Sequence, residues 1–415
     1  YFNMNAVENL QHFPSRSTII VTNPHLEQMG HVDIVRRYLP SQTAVRVLAI
    51  PDAEPEVKVI LHGVEALILQ QADQIVALGG GSVMDAAKIM KLKYISPEAD
   101  LEELAAPFLD IRKRVVQYPT GNPNQVRLIA ISTTSGTGSE VTPFAVLIDK
   151  EHGRKVTLAD YSLSPDVAIV DPQFVMSMPR NLTADTGVDC LTHALEAGVS
   201  IHASPYTDSN AMQAIRLVFK YLPIAYERPQ DEEARSMMHN AACIAALAFS
   251  NASVGVNHAL AHAFGARFGV SHGRANALML PHVLAFNAGV PTKFMPSPNQ
   301  RAYVAHKKYA AVADLLGLGG DTVAEKVQRL IAATEELLDR LEIPRSIAAL
   351  GISRDEFERA LPELAKIAFD DPSWRSNPRM PLVSELNELF RSAWRGRGHA
   401  ATVAEPVPAM EGASA

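Results

Sequence analysis

Apolar positions fall into two patterns along this chain, and the change comes near Pro179. Before it, short β-branched and apolar runs at 18–21, 45–50, 74–78, 128–131, 145–148 and 167–170 are mostly continuous rather than alternating. Strands buried on both faces of a parallel sheet read this way. Helical stretches such as 57–71 and 83–94 lie between them, so the alternation is that of βαβ units. After Pro179 strand-like runs stop. Segments rich in alanine and leucine follow at 183–200, 207–222, 231–250, 252–269, 274–287, 302–316, 322–341, 353–368 and 382–394. These predict an all-α region, with Asn181 or Thr183 as cap of its first helix. From about Gly398 the chain is rich in Ala, Pro, Gly and Ser without periodicity and reads as a disordered tail. The expected organisation is an α/β domain over 1–178, a helical domain over 179–397 and a tail over 398–415. No internal repeat is visible.

Composition narrows the function classes. A chain of 415 residues, 47% hydrophobic and 20% charged, has the make-up of an ordinary globular protein with two or three domains. A net charge of −7 and no basic patch with interleaved aromatics argue against a nucleic-acid partner. No apolar run reaches the roughly eighteen residues of a membrane span, and no signal peptide is visible. Two cysteines, Cys190 and Cys243, are too few for a disulfide framework and fit a reducing cytoplasm. Cys190 adjoins Asp189, but neighbours on a helix point about 100° apart, so it reads as a packed thiol rather than a ligand.

Two kinds of motif carry chemistry. The first is a pair of glycine-rich loops. Residues 79–88, GGGSVMDAAK, follow a strand and open a helix. Glycines allow close approach to a phosphate, and a helix N-terminus offers free N–H groups. Ser82 is a candidate cap or phosphate contact. The spacing is neither G-x-G-x-x-G nor a Walker loop, so a plain tight turn is the competing reading. Residues 133–142, TTSGTGSEVT, also follow a strand, where open α/β sheets bind ligands. The second motif is a set of donors with helical spacing: Asp189-x3-His193 and His258-x3-His262, with His272 ten residues on. Positions i and i+4 share a helix face. Imidazoles with a carboxylate suit iron, zinc or cobalt. Most of the 14 histidines need not be ligands, but imidazoles among so many Ala and Leu neighbours are costly unless partnered.

Together these stretches resemble the iron-containing (group III) alcohol dehydrogenase family, and more closely the alcohol dehydrogenase half of the bacterial bifunctional aldehyde-alcohol dehydrogenases. The resemblance is carried by 77–90, 110–114 (DIRKR), 133–145, 165–171, 187–197 (GVDCLTHALEA), 257–262 (NHALAH), 271–281 (SHGRANALMLP) and 377–386 (NPRMPLVSEL), and it runs over about 1–397. It implies a Rossmann-like dinucleotide-binding domain followed by a helical metal domain. It implies Asp189, His193, His258 and His272 as ligands of Fe2+, with Zn2+ able to satisfy the same donors. His262 falls beside the nicotinamide and substrate as the catalytic side chain. It implies NAD(H) contacts at Gly80, Gly81, Ser82, Thr133, Thr134 and Ser139, and at Thr142 and Lys155. One departure is Asn23 after the first strand, where NAD-preferring members usually carry Asp; Asn23 keeps an acceptor without the charge.

The implied reaction is reversible reduction of acetaldehyde or another short-chain aldehyde with NADH. The implied assembly is a homo-oligomer, filament-forming when joined to an aldehyde dehydrogenase domain, and the Tyr1-Phe2 start resembles that half with its partner removed. Two other readings stand beside it: an NAD- and metal-dependent lyase of the dehydroquinate synthase kind, for which Arg267, Arg274 and Lys155 are the nearby phosphate-binding candidates, and a non-catalytic assembly module.

Overall fold

The computed structural model describes residues 1–51, 55–101, 126–149, 154–291, 294, 296 and 300–398. The DIRKR motif, the side chain of Lys155 and all but the first residue of the expected tail lie outside the described residues.

Continuous apolar runs become a five-stranded parallel sheet. Its strands are β1 (Ser17–Thr22), β2 (Ala44–Ala49), β3 (Gln74–Gly79), β4 (Arg127–Ser132) and β7 (Val167–Ile169), ordered β2-β1-β3-β4-β7. Alternate residues feed two cores. Ile19, Val21, Ile75, Ala77 and Leu128 join one; Ile20, Val76, Leu78, Ile129 and Ile169 join the other. Both faces are covered, as a parallel sheet requires. Helices α3 (Val57–Gln70) and α4 (Gly81–Ile95) supply Ile60, Leu67, Met84 and Met90 to the first core. Between β1 and β2 run α1 (Pro24–Gln28) and α2 (His31–Tyr38), and α2 supplies Val32 and Val35 to the second core.

From β1 the chain goes out to β2 and returns to β3 on the other side of β1. The carboxyl ends of β1 and β3 therefore form the switch point at which open α/β sheets take ligands. The register pairs Ile20 with Val76 and Val21 with Ala77, which sets Asn23 and the 79–82 turn at the same end of adjacent strands.

The run at 145–148 is not a strand of this sheet. It lies in β5 (Phe144–Asp149), which pairs antiparallel with β6 (Arg154–Ala159), a strand the sequence pattern did not reveal. Its apolar residues are satisfied elsewhere: Ala145 and Leu147 are buried with Met90 of α4. A short apolar run specifies burial, not a pairing partner.

Nine helices follow among the described residues: α5 (Arg180–Val199), α6 (Pro205–Glu227), α7 (Glu232–Ala252), α8 (Val256–Phe268), α9 (His272–Ala288), α10 (Ala305–Leu315), α11 (Val323–Arg340), α12 (Arg354–Asp370) and α13 (Val383–Arg395). Asn181 and Thr183 lie inside α5 rather than capping it. Thr183 Oγ1 instead donates back to the Pro179 carbonyl at 3.0 Å. None of the described helices alone is long and apolar enough to cross a membrane.

By compactness the chain groups into Tyr1–Cys190 with Lys220–Ser250, and Leu191–Phe219 with the chain from Asn251 on. The change of element type falls near Pro179, whereas this division cuts within α5. In the second unit Leu260 and Phe264 of α8, Met279 of α9, Phe357 and Leu364 of α12 and Phe390 of α13 share one core.

Candidate metal centre and cofactor loops

Helix α5 carries Asp189 and His193 one turn apart, α8 carries His258 in its first turn, and α9 begins at His272. One ligand atom from each of these four lies within 4.8 Å of every other. Asp189, His193 and His258 are 3%, 6% and 3% exposed, so water does little to solvate them. The ring centroids of His193 and His258 are 4.7 Å apart, and those of His258 and His272 5.2 Å. Three imidazoles and a carboxylate, converging and buried, fit a borderline divalent metal such as iron(II) or zinc. Cys190 is excluded: it is buried on another face of α5, and burial pushes its thiol above its ordinary value.

A second layer holds these rings. Glu196 Oε2 lies 2.5 Å from His258 Nδ1, and its Oε1 accepts from the Asn257 main-chain N–H at 2.6 Å. Asn257 Nδ2 donates to Asn276 Oδ1 at 2.8 Å. Asn276 Nδ2 faces His272 Nε2 at 3.2 Å and His258 Nε2 at 3.5 Å. The approach of Glu196 depends on Gly255: a Cβ there would stand 2.8 Å from Glu196 Oε1 and 2.7 Å from Asn377 Oδ1. Sequence reasoning missed Glu196, although its spacing was legible. It follows Asp189 by seven residues and His193 by three, on the same helix face.

His262 stands outside the four-donor group but beside it. Its ring stacks on His272 at 5.1 Å and meets His258 edge-on at 6.0 Å. Nδ1 of His262 lies 2.8 Å from Asp371 Oδ2. Burial opposes ionisation of Asp371, but the charge and hydrogen bond of His262, with hydrogen bonds from Ser373, outweigh it and hold the carboxyl near 2. Asp371 follows His262 by more than a hundred residues, and no motif announces it.

Of the cofactor residues expected from sequence, Asn23, Thr133, Ser139 and Thr142 have buried side chains. Gly80 is the N-cap of α4, and Ser82 is its second residue rather than its cap. A Cβ on Gly80 would come within 3.1 Å of Thr134 Cγ2, and one on Gly81 within 3.1 Å of Thr137 Cγ2. The two glycine loops thus press on each other. Thr133 N–H donates to the Gly79 carbonyl at 3.0 Å, and Thr134 Oγ1 is buried without a hydrogen-bond partner. Asn23 accepts from the Leu26 N–H at 2.9 Å and caps α1. The Lys88 ammonium donates to Ser139 Oγ at 2.7 Å, Thr142 Oγ1 at 3.1 Å and the Phe144 carbonyl at 2.7 Å. Ser139 also donates to Asp85 at 2.8 Å. Lys88 is fully buried, and burial pushes it down to about 8 against the pull of Asp85 and Glu140. Farther along, Ser135 bonds His239 Nδ1 at 3.2 Å, and burial lowers that imidazole to about 4, so it is neutral.

The chain is similar to known proteins over most of its length. The family model described as Iron-containing alcohol dehydrogenase matches residues 1–172, and that described as Fe-containing alcohol dehydrogenase family, C-terminal, matches 183–394. The bifunctional aldehyde-alcohol dehydrogenase of Escherichia coli K12 is 42% identical over 403 residues, which are 95% of this chain and 45% of that protein. The chain thus spans about half the length of such relatives. The NADPH-dependent butanol dehydrogenase of Clostridium saccharobutylicum is 36% identical and is covered over 96% of its length, against 95% of this chain. Among solved structures, a sulfoacetaldehyde reductase from Bifidobacterium kashiwanohense in complex with NAD+ superposes with a TM-score of 0.79 at 26% identity, covering 94% of this chain and 96% of the other.

Proposed function

The chain belongs to the iron-containing alcohol dehydrogenase family and is an oxidoreductase; from that premise we propose that it reduces acetaldehyde or another short-chain aldehyde to the primary alcohol with NADH, reversibly. The observation that carries the proposal is the convergence of Asp189, His193, His258 and His272 within 4.8 Å. These four would hold a divalent metal, Fe2+ by family and Zn2+ by the same donor chemistry. When bound, the metal supplies Lewis acidity toward a carbonyl oxygen and NADH supplies the hydride.

The remaining work belongs to the chain's own residues. His262, with Nδ1 tied to Asp371, presents Nε2 for proton exchange with the alcohol oxygen, directly or through the nicotinamide ribose. The free N–H groups that open α4 at Gly80, Gly81 and Ser82 would hold the pyrophosphate. Thr133 and Thr134, on the loop that meets those glycines, and Lys155 complete the cofactor contacts. Ser139 and Thr142 contribute by fixing Lys88 and Asp85 beneath the loop. Asn23, at the carboxyl end of β1, offers an acceptor to a ribose hydroxyl but no charge to repel a 2′-phosphate. NADPH therefore remains a usable second cofactor, as the name of the butanol dehydrogenase relative suggests. A dehydroquinate-synthase-like lyase is not favoured, because relatives matching nearly the whole chain are named dehydrogenases. A purely structural module has no use for four converging donors.

The same proposal includes a cytoplasmic homo-oligomer, joined in its working form to an aldehyde dehydrogenase domain and able to build filaments. It rests on relatives that are bifunctional enzymes.

The deciding experiment follows NADH absorbance with acetaldehyde, using chain loaded with ferrous iron without oxygen. Acetaldehyde-dependent NADH loss that stops after chelation supports the proposal. No turnover with acetaldehyde, propanal or butanal, with either iron or zinc, contradicts it.

A further inference from the structure

We propose that Glu196 is a positioning residue that fixes which nitrogen of His258 faces the four-donor cluster, and that it supplies a second buried negative charge matched to a divalent cation. The proposal rests on the metal-binding reading above.

One atom in this layer has an unambiguous role. The main-chain carbonyl of Asn276 can only accept, and Asn257 Nδ2 lies 3.2 Å from it. The Asn257 amide is thereby oriented, and it stays so although its own Oδ1 is left buried without a partner. Asn257 Nδ2 also reaches Asn276 Oδ1 at 2.8 Å, so that oxygen accepts and Asn276 Nδ2 is the group facing the imidazoles. A donor at 3.2 Å from His272 Nε2 and 3.5 Å from His258 Nε2 calls for lone pairs on both nitrogens. The proton of His258 then sits on Nδ1 and is donated to Glu196 Oε2 at 2.5 Å. Nε2 is left as the metal-facing atom, and a neutral imidazole ligates only through an unprotonated nitrogen.

Glu196 suits this role in two ways. Both of its partners are donors: the His258 ring and the main-chain N–H of Asn257. It also sits at the N-terminus of α8, where unpaired N–H groups and the helix dipole favour a negative charge. Glu196 is 2% exposed and Asp189 is 3% exposed. Two buried carboxylates balance a divalent ion; one leaves a net positive charge.

The isosteric variant makes the idea falsifiable. A glutamine at 196 has one acceptor for two donors. The Asn257 main-chain N–H cannot change, so the amide oxygen goes there and the NH2 group faces His258 Nδ1. That nitrogen must then accept, which moves the ring proton to Nε2 and blocks the ligand atom. A shortened side chain imposes no such reversal. The conservative change is therefore expected to do more harm than the truncation, whereas a merely structural Glu196 gives the opposite order.

The test uses the whole chain, stripped by chelation and titrated with zinc alone and with ferrous iron under argon, as wild type, Glu196→Gln and Glu196→Ala. Long-range 1H–15N spectra of 15N-histidine-labelled, zinc-free protein read the tautomer. The expected result is an Nδ1 proton on His258 in wild type and an Nε2 proton in Glu196→Gln. Zinc affinity is expected to fall by about 10–100-fold in Glu196→Gln and by less in Glu196→Ala. An unchanged tautomer in Glu196→Gln, an affinity within about twofold of wild type, or a larger loss in Glu196→Ala overturns the proposal. If a variant does not fold, the wild-type spectrum decides, since an Nε2 proton on His258 is equally fatal. A wild-type chain that binds neither ion sinks the metal reading beneath; one that binds zinc while Glu196→Gln binds it equally well sinks only the role of Glu196.

Discussion

Asp189, His193, His258 and His272 turn their ligand atoms toward one another, whereas Asn23, Ser139 and Thr142 turn theirs toward the protein's own N–H and ammonium groups. The first region gathers side-chain donors at one point and spends a second layer, Glu196, Asn257 and Asn276, on aiming them. The second gathers polar side chains in order to shape backbone, with Gly80 and Gly81 pressed against Thr134 and Thr137 of the other loop and Gly138 pressed against Ala242 and Ala246 of α7. The difference teaches what each ligand class needs. A metal is held by side-chain atoms at short range. A pyrophosphate can be held by main-chain N–H groups at a helix start, provided the turn is fixed.

The comparison can be broken where its effects are largest. His193→Ala and His272→Ala should each lower turnover by about a hundredfold or more, the scale of a lost transition-state contact, while circular dichroism stays native. A variant within about tenfold of wild type would remove that histidine from the centre. Next in size is the loop foundation. Burial holds Lys88 at about 8 in the folded chain, against 10.5 for an ordinary lysine. The unfolded chain therefore binds more protons between those values, and stability rises as pH climbs through the window, by about 3 kcal/mol from this group. Urea unfolding from pH 8 upward should show the stability difference between wild type and Lys88→Met shifting in favour of wild type. The difference is the readout because the buried Cys190 and Cys243 thiols, pushed up by burial, act in the opposite direction in both proteins.

Gly138→Ala probes the backbone side of the contrast. At φ +58° its Cβ would stand 2.2 Å from Ala246 Cβ and 2.8 Å from the Ala242 carbonyl. A loss of about 2 kcal/mol or more is expected, read as a lower Tm with metal content unchanged. A shift of Tm within error would mean the loop relaxes freely. Smallest is Asp371→Asn, which disturbs His262 without touching the four donors. Turnover should fall by about tenfold, less than the roughly hundredfold or more of losing an acid–base group outright, because Asn still offers His262 a partner, with the metal retained. Loss of metal in this variant would put Asp371 in the centre itself.

Much of this was legible from sequence, for identifiable reasons. Segments of ten or more residues with one dominant period yield helices α5 to α13 within a few residues of their expected ends, because length and periodicity agree. Spacing made five donor candidates legible, because i and i+4 share a helix face. Separating His262 from Asp189, His193, His258 and His272 came from the family resemblance, since the same spacing pairs His262 with His258. The run at 145–148 misled, since burial against α4 and burial in a sheet leave the same apolar trace. Ser82 and Thr183 look like caps, yet the helices start a residue or more before each of them. Asp371 and Lys88 were illegible in their roles: their partners are set by tertiary packing, far from them in sequence.

The central claim is that four residues and not five bind one divalent ion. It is tested most directly by elemental analysis of anaerobically purified chain beside five single variants: Asp189→Ala, His193→Ala, His258→Ala, His272→Ala and His262→Ala. The account predicts one iron or zinc per chain in wild type and in His262→Ala, and loss of the ion from each of the other four. Retention of a full equivalent by any of those four, or its loss from His262→Ala, would contradict it.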